Sequence, residues 1–150
     1  MPSCTMMYLG FYDQNIFEAS NQPNYLSEKV SSWEDGQRTE GLKNQFEWWY
    51  VDTKLNDGTI IVTYFYKVHF IRDQYFIGFN YTDPNGEKFS KLKYFKKNDV
   101  EFASDSCYVK MGNNLIAGNL NKYSIKIDPY DFDGYGIDVI LTSTTKPYRP

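Results

Sequence analysis

The stretch NQFEWWYVDTKLNDGTIIVTYFYKVHF, residues 44–70, decides the fold, because its pattern predicts two strands joined by a tight turn. Its first half places Glu47, Trp48, Trp49 and Tyr50 side by side. Side chains alternate between the two faces of a strand, so Trp48 and Trp49 must point in opposite directions. Each face of this strand must therefore accommodate a large aromatic ring.

The composition of the whole chain is that of one globular domain rich in strands. The chain has 150 residues and a mass of 17.7 kDa, which suits a single hydrophobic core. Aromatic residues make up 19% of the chain, with 14 Tyr and 11 Phe, and such residues favour strands. The net charge of -3 and the pI near 5.1 argue against a phosphate-binding surface, so no nucleic-acid partner is expected.

The Cys, His and hydropathy patterns exclude several kinds of site. Cys4 and Cys107 lie far apart without metal-type or redox-type spacing, so both are predicted to be thiols. His69 is the only His, and neither a typical zinc site nor a nucleophilic triad is expected. We therefore expect no metal and no cofactor. Without a signal-type N-terminus or a long apolar run, the default expectation is a cytoplasmic protein with no membrane span.

The chain divides into two regions of different pattern. Residues 1–43 lack sustained periodicity, so we expect an irregular segment, with one short helix near residues 14–19, that packs on the domain. In residues 44–150, short runs of Tyr, Phe, Val and Ile alternate with turn signals, which predicts an all-β antiparallel meander. A sheet of many strands tends to curl into a barrel or a sandwich. After the opening strands, further strands are expected at residues 88–95, 100–103, 107–111, 115–117, 120–127 and 135–143.

The hairpin register predicts which side chains form the core. Two-residue loops at residues 57–58 and 72–73 would give three strands that agree on one mostly apolar face. The predicted inward residues are Glu47, Trp49, Val51, Thr53, Leu55, Ile60, Val62, Tyr64, Tyr66, Val68, Phe70, Tyr75, Ile77, Phe79 and Tyr81.

The opposite face of the first hairpin has a mixed composition. It is predicted to carry Trp48, Tyr50, Asp52 and Lys54 beside Ile61, Thr63, Phe65 and Lys67. This mixture is too aromatic for a freely solvated face and too charged for a closed core. We expect the N-terminal segment or another domain to cover the face, or a ligand site to border it.

The block EWWYVD at residues 47–52, followed by NDG at residues 56–58 and an aromatic strand, resembles the lipocalin-like family of carotenoid 1,2-hydratase (hydroxyneurosporene synthase) and related cyclases. The resemblance covers roughly residues 32–146 and implies a lipocalin-like barrel or half-barrel. Family members have two such barrels, and this chain is long enough for the first alone, which implies a missing second barrel. The family's activities imply an apolar polyene ligand.

Within the resemblance, Glu47, Trp48, Trp49 and Tyr50 match positions typical of the family, whereas the family's upstream His is missing, since His69 lies downstream. Glu47 is the candidate catalytic residue. Hydration or cyclisation of a polyene needs an acid that protonates a double bond and aromatic faces that stabilise the carbocation. The alternative is a structural Glu47 that bonds to a backbone amide or pairs with a cationic side chain, Lys67 or Arg72.

Three functions are compatible with these patterns. The first is a domain that binds an apolar small molecule, of polyene or isoprenoid type, as part of a hydratase or cyclase, and whether this chain is itself an enzyme is left open. The second is an aromatic-platform module that binds carbohydrate through exposed Trp48 and Tyr50. The third is a structural half that is completed by a homodimer or by the second barrel. The predicted ligand-binding residues are Trp48, Trp49, Tyr50, Tyr64, Tyr66 and Phe79.

Overall fold

The computed structural model describes residues 30–42 and 44–147, and these residues form two antiparallel sheets. The first sheet contains β1 (Gln45–Lys54), β2 (Ile60–His69), β3 (Asp73–Thr82) and β4 (Lys88–Phe95). The second contains β5 (Val100–Phe102), β6 (Cys107–Met111), β7 (Asn114–Gly118), β8 (Lys122–Ile127) and β9 (Ile137–Thr142). Three short 3₁₀ helices are Ser32–Asp35, Lys97–Asp99 and Pro129–Phe132.

The all-β antiparallel meander is confirmed, because each strand pairs with the next one along the chain within its sheet. The two sheets are not closed into a barrel, and they correspond to the expected half-barrel. The predicted strands at residues 88–95 and 107–111 have the observed bounds. In the part of the chain that the structure describes, no helix is long and apolar enough to span a membrane. The helix expected near residues 14–19 lies outside the described residues.

One hydrophobic cluster joins the inner faces of the two sheets. From the first sheet, Phe65, Ile77 and Phe79 enter it with no exposed surface. From the second sheet come Val109, Met111, Ile116, Ile125 and Ile127. Burial of apolar area at about 25 cal/mol per Å² makes this cluster the main stabilising contact between the sheets.

The predicted register of β1 and β2 is wrong by one residue. Trp49 pairs with Phe65 rather than Tyr66, and Glu47 pairs with Lys67 rather than Val68. The loop contains three residues, 56–58, because the N–H of Leu55 donates to the carbonyl of Thr59 at 2.8 Å. Gly58 has a φ of 96°, the left-handed conformation that closes a three-residue hairpin loop with a bulge.

The next hairpin also has an odd loop, since His69 pairs with Asp73 and leaves residues 70–72 between them. A loop that is longer by one residue exchanges the two faces of the following strand, because side chains alternate with a period of two. Two such loops in succession exchange the faces of β2 alone. The inward predictions for β1 and β3 are confirmed for Glu47, Trp49, Val51, Thr53, Tyr75, Ile77 and Phe79.

The prediction for β2 is therefore wrong on both faces. Ile61, Thr63, Phe65 and Lys67 are buried, although they were expected on the outer face. Val62, Tyr64, Tyr66 and Val68 lie on the outer face instead.

The acidic loop between β8 and β9 fastens the second sheet to β4. Lys91 and Lys93 contact Asp133 and Asp131 at 2.6 and 3.0 Å, and Phe132 between the two Asp residues is fully buried. Asn114 organises this loop from the core. Its amide nitrogen donates to the carbonyl of Met111 and to Asp131, and its amide oxygen accepts from the N–H of Asp128.

We expect Asn114→Ala to lower the free energy of unfolding by about 3 kcal/mol, because it leaves buried backbone groups without partners. Asn113→Ala is the matched control. Asn113 is exposed and makes one side-chain hydrogen bond, to Asp128, so its loss should cost less than about 1 kcal/mol. Urea unfolding measures both variants. Equal losses would contradict the role assigned to Asn114.

Candidate functional site

The predicted site residues divide between the two faces of the first sheet. Glu47, Trp49 and Phe79 lie on the inner face and are buried. The others, Trp48, Tyr50, Tyr64 and Tyr66, lie together on the outer face and are partly exposed. Trp49 thus does not share a cavity with Tyr64 and Tyr66, because the sheet itself separates them.

Glu47 is 3% exposed and holds the segment that precedes β1. One carboxylate oxygen accepts from the N–H of Arg38 at 2.7 Å. The other accepts from the N–H of Thr39 at 3.2 Å and from its hydroxyl at 2.8 Å. The structure therefore gives Glu47 backbone-amide partners, which is the structural alternative considered for this residue, and its proposed catalytic role stays a prediction.

Lys67 lies opposite Glu47 in the register and is 8% exposed. Its Nζ atom donates to the carbonyl of Thr39 at 3.4 Å. Burial lowers the pKa of Lys67, and the nearby Glu47 carboxylate raises it in part. The two residues therefore hold the same short segment, Glu47 through Arg38 and Thr39 and Lys67 through Thr39.

Trp49 is held by the same segment. Its indole N–H donates to the carbonyl of Asp35 at 2.8 Å, and its ring packs on Phe102 at a centroid distance of 5.5 Å. The Asp35 carboxylate accepts a hydrogen bond from the hydroxyl of Tyr123 on β8. Residues 30–42 thus pack against inner-face residues and the second sheet. The N-terminal segment was expected to cover the outer face. Residues 1–29 and 43 of that segment lie outside the described residues.

We expect Glu47→Gln to lower the free energy of unfolding by about 2 kcal/mol, because an amide group cannot accept all three hydrogen bonds. It should also speed hydrogen exchange at the amide of Thr39. Glu101→Gln on the exposed side of β5 is the matched control and should change stability by less than about 0.5 kcal/mol. Unchanged exchange at Thr39 in Glu47→Gln would contradict the anchoring role.

The burial of Asp35 leads us to expect that the stability of the fold depends on pH. Burial raises the pKa of Asp35, and the hydrogen bond from Tyr123 partly offsets this. A raised folded-state pKa means that the contribution of Asp35 to stability is complete below its unfolded pKa and is lost as the pH rises through the folded value. The difference in unfolding free energy between the native chain and Asp35→Asn should therefore fall as the pH increases above about 4.

Urea unfolding at several pH values from 4 to 7 tests this dependence. Asp138→Asn serves as the control for the loss of one carboxylate, because Asp138 is exposed on β9. A difference for Asp35→Asn that increased with pH would contradict the raised pKa.

An aromatic row crosses all four strands on the outer face of the first sheet. Trp48, Tyr66, Phe76 and Tyr94 are successive partners in the registers. Their neighbouring ring centroids lie 5.1, 4.8 and 5.2 Å apart. Tyr94, on the edge strand, is 61% exposed. We call this set the aromatic row.

A second row lies beside the first and contains Tyr50, Tyr64, Gly78 and Leu92. Gly78 is required here by close approach, because a Cβ atom at this position would lie 1.9 Å from the ring of Tyr64. The Tyr64 ring therefore extends across the sheet over β3. It meets Tyr66 at a centroid distance of 5.1 Å and an interplanar angle of 76°.

A polar cluster borders the second row and consists of Asp52, Asn80 and Ser90. The Tyr50 hydroxyl donates to Asp52 at 3.2 Å. The Ser90 hydroxyl donates to Asn80 at 2.6 Å, and the Asn80 amide lies 3.5 Å from the Tyr64 hydroxyl. The outer face thus combines apolar rings with hydrogen-bonding groups a few ångströms away.

Sequence reasoning missed Phe76, Tyr94, Asn80 and Ser90 as site residues. The alternation of side chains along β3 and β4 could have identified them. Phe76 and Asn80 lie two residues before and after Gly78, so they share its face of β3. Ser90 and Tyr94 flank Leu92 on the same face of β4. Among residues 30–42 and 44–147, no group of His, Cys, Asp and Glu could hold a metal ion.

Comparison of the chain with family models, with curated proteins and with solved structures gives no match in any of the three. The resemblance to the lipocalin-like hydratase family stays a prediction.

Proposed function

We propose that this protein is a carbohydrate-binding module whose contact surface is the outer face of the first sheet. The observation that carries the proposal is the aromatic row, which continues across four paired strands to an exposed Tyr94. Aromatic rings away from the core are favourable contact surfaces because they offer large apolar area at low cost in side-chain entropy. An open sheet face of this kind suits an extended ligand.

The polar cluster supports carbohydrate rather than a purely apolar ligand. A sugar ring presents C–H groups on its faces and hydroxyl groups around its rim. The outer face offers matching groups, with aromatic rings in two rows and Asp52, Asn80 and Ser90 beside them. A polyene would gain nothing from these polar groups, and a small apolar ligand is usually enclosed over most of its surface.

The apolar-ligand function, as part of a hydratase or cyclase, remains the second candidate. What favours it is the apolar content of the outer face, where Leu92 is 52% exposed beside the aromatic rows. Self-association through the same face is a third prediction, because exposed apolar patches often mark interfaces.

We expect neutral oligosaccharides to bind with a heat signal in calorimetry and to shift tryptophan fluorescence through Trp48. Tyr94→Ala should weaken binding about tenfold, which corresponds to about 1.4 kcal/mol. Tyr130→Ala is the matched control, since Tyr130 is 90% exposed but lies in the third 3₁₀ helix, away from the outer face.

The same titration includes a long polyene and a fatty acid, and a sizing column reports the oligomeric state. Saturable binding of the polyene without any response to sugars would overturn the carbohydrate proposal in favour of the apolar-ligand function. A dimer that Tyr94→Ala dissociates, again without sugar binding, would instead favour self-association.

A further inference from the structure

We infer that the outer face binds a neutral saccharide that lies across the strands, with one sugar ring on Tyr64 and its hydroxyl groups bound by Asn80 and Ser90. This inference rests on the proposed function and specifies the ligand class and the residues that determine specificity. Three features of the outer face support it: the orientation of the rings, the hydrogen-bonding capacity of the polar cluster and the distribution of charge.

The rings of Tyr64, Tyr66 and Phe76 form a corner rather than a uniform stack. Tyr66 and Phe76 stack at an interplanar angle of 21° with centroids 4.8 Å apart, so their faces are largely used by each other. Tyr64 meets Tyr66 at 76°, and its ring therefore turns a face away from that stack. A sugar ring that packs on Tyr64 would have the Tyr66–Phe76 pair as a wall on one side and Leu92 at the far end.

The polar cluster lies on the other side of Tyr64 and has hydrogen-bonding capacity left for a ligand. The contact from Asn80 Nδ2 to the Tyr64 hydroxyl is 3.5 Å, beyond the usual hydrogen-bond range, so this amide group can donate to a closer oxygen. Ser90 Oγ donates to Asn80 Oδ1 at 2.6 Å and keeps its acceptor lone pairs. A sugar hydroxyl both donates and accepts, and Asn80 with Ser90 offers one group for each.

The direction of the ligand follows from the sheet geometry. The aromatic row runs perpendicular to the strands over four of them, about 14 Å at the usual strand spacing. Asn80 and Ser90 are partners in the adjacent strands β3 and β4, so the polar cluster runs the same way. A ligand across the strands meets rings along one side and polar groups along the other.

The charge distribution favours a neutral sugar. The outer positions of the two central strands are uncharged throughout, from Ile60 to Val68 on β2 and from Gln74 to Thr82 on β3. Charged side chains on this face lie only on the two edge strands of the sheet. Asp52 and Lys54 are on β1, and Lys88 is on β4. A carboxylated sugar over Tyr64 would have Asp52 nearby and no cation on the central strands to pair with.

The test uses calorimetry with cellohexaose, xylohexaose, mannohexaose and hexagalacturonate as probes. We expect at least one neutral hexasaccharide to bind and hexagalacturonate not to bind. Asn80→Ala and Ser90→Ala should each weaken binding about tenfold. Because the two side chains bond to each other, the double variant should be little weaker than either single variant.

One control and one double variant separate ligand contact from loss of fold. Asn85→Ala changes an exposed Asn in the turn before β4, where its bonds go to Asp83, and should bind like the native chain. Ser90→Ala combined with Tyr94→Ala should show additive losses, since these two residues contact different parts of the ligand. Circular dichroism and the melting temperature establish that each variant is folded.

The outcomes distinguish this inference from the proposed function. If Tyr94→Ala weakens binding of a neutral hexasaccharide while folded Asn80→Ala and Ser90→Ala bind normally, the proposed carbohydrate-binding function stands and the assignment of specificity to Asn80 and Ser90 is overturned. Preferential binding of hexagalacturonate would overturn the neutral-sugar assignment alone. If none of the four probes binds, both proposals fail.

Discussion

The number of residues in two hairpin loops determines what each face of the first sheet presents. Both loops have three residues. Compared with two-residue loops, they exchange the side chains that β2 places on the inner and outer faces. Gly58 makes the first of these loops possible, since its φ of 96° is costly for other residues. With this register, Phe65 enters the core and Tyr64 and Tyr66 remain outside. A single residue fewer in each loop would exchange them.

The adjacent Trp48 and Trp49 follow from this arrangement. Trp49 faces inward, donates to the Asp35 carbonyl and fixes the segment before β1 against the second sheet. Trp48 faces outward and begins the aromatic row. One strand therefore serves both the stability of the fold and the surface to which we assign ligand binding. Glu47 belongs to the first role, because its carboxylate holds residues 38 and 39 in place.

The sequence was informative where the physical signal is local. Aromatic and β-branched runs between turn residues predicted the all-β meander, and alternation predicted the inward residues of β1 and β3. Loop length cannot be read from Asp57-Gly58, because this pair fits both two-residue and three-residue loops, and for this reason the predicted faces of β2 are wrong. The partners of Glu47 and Asn114 were also hidden, because they depend on contacts between segments that are not strand neighbours.

The most direct test of this account is the register of β1 and β2 in solution. Nuclear Overhauser effects between backbone protons of paired residues report it without any substitution. The account predicts cross-strand effects that pair Trp49 with Phe65 and Glu47 with Lys67. Effects that paired Trp49 with Tyr66 and Glu47 with Val68 would contradict it. They would return Tyr64 and Tyr66 to the core, and the outer aromatic face would no longer exist as described.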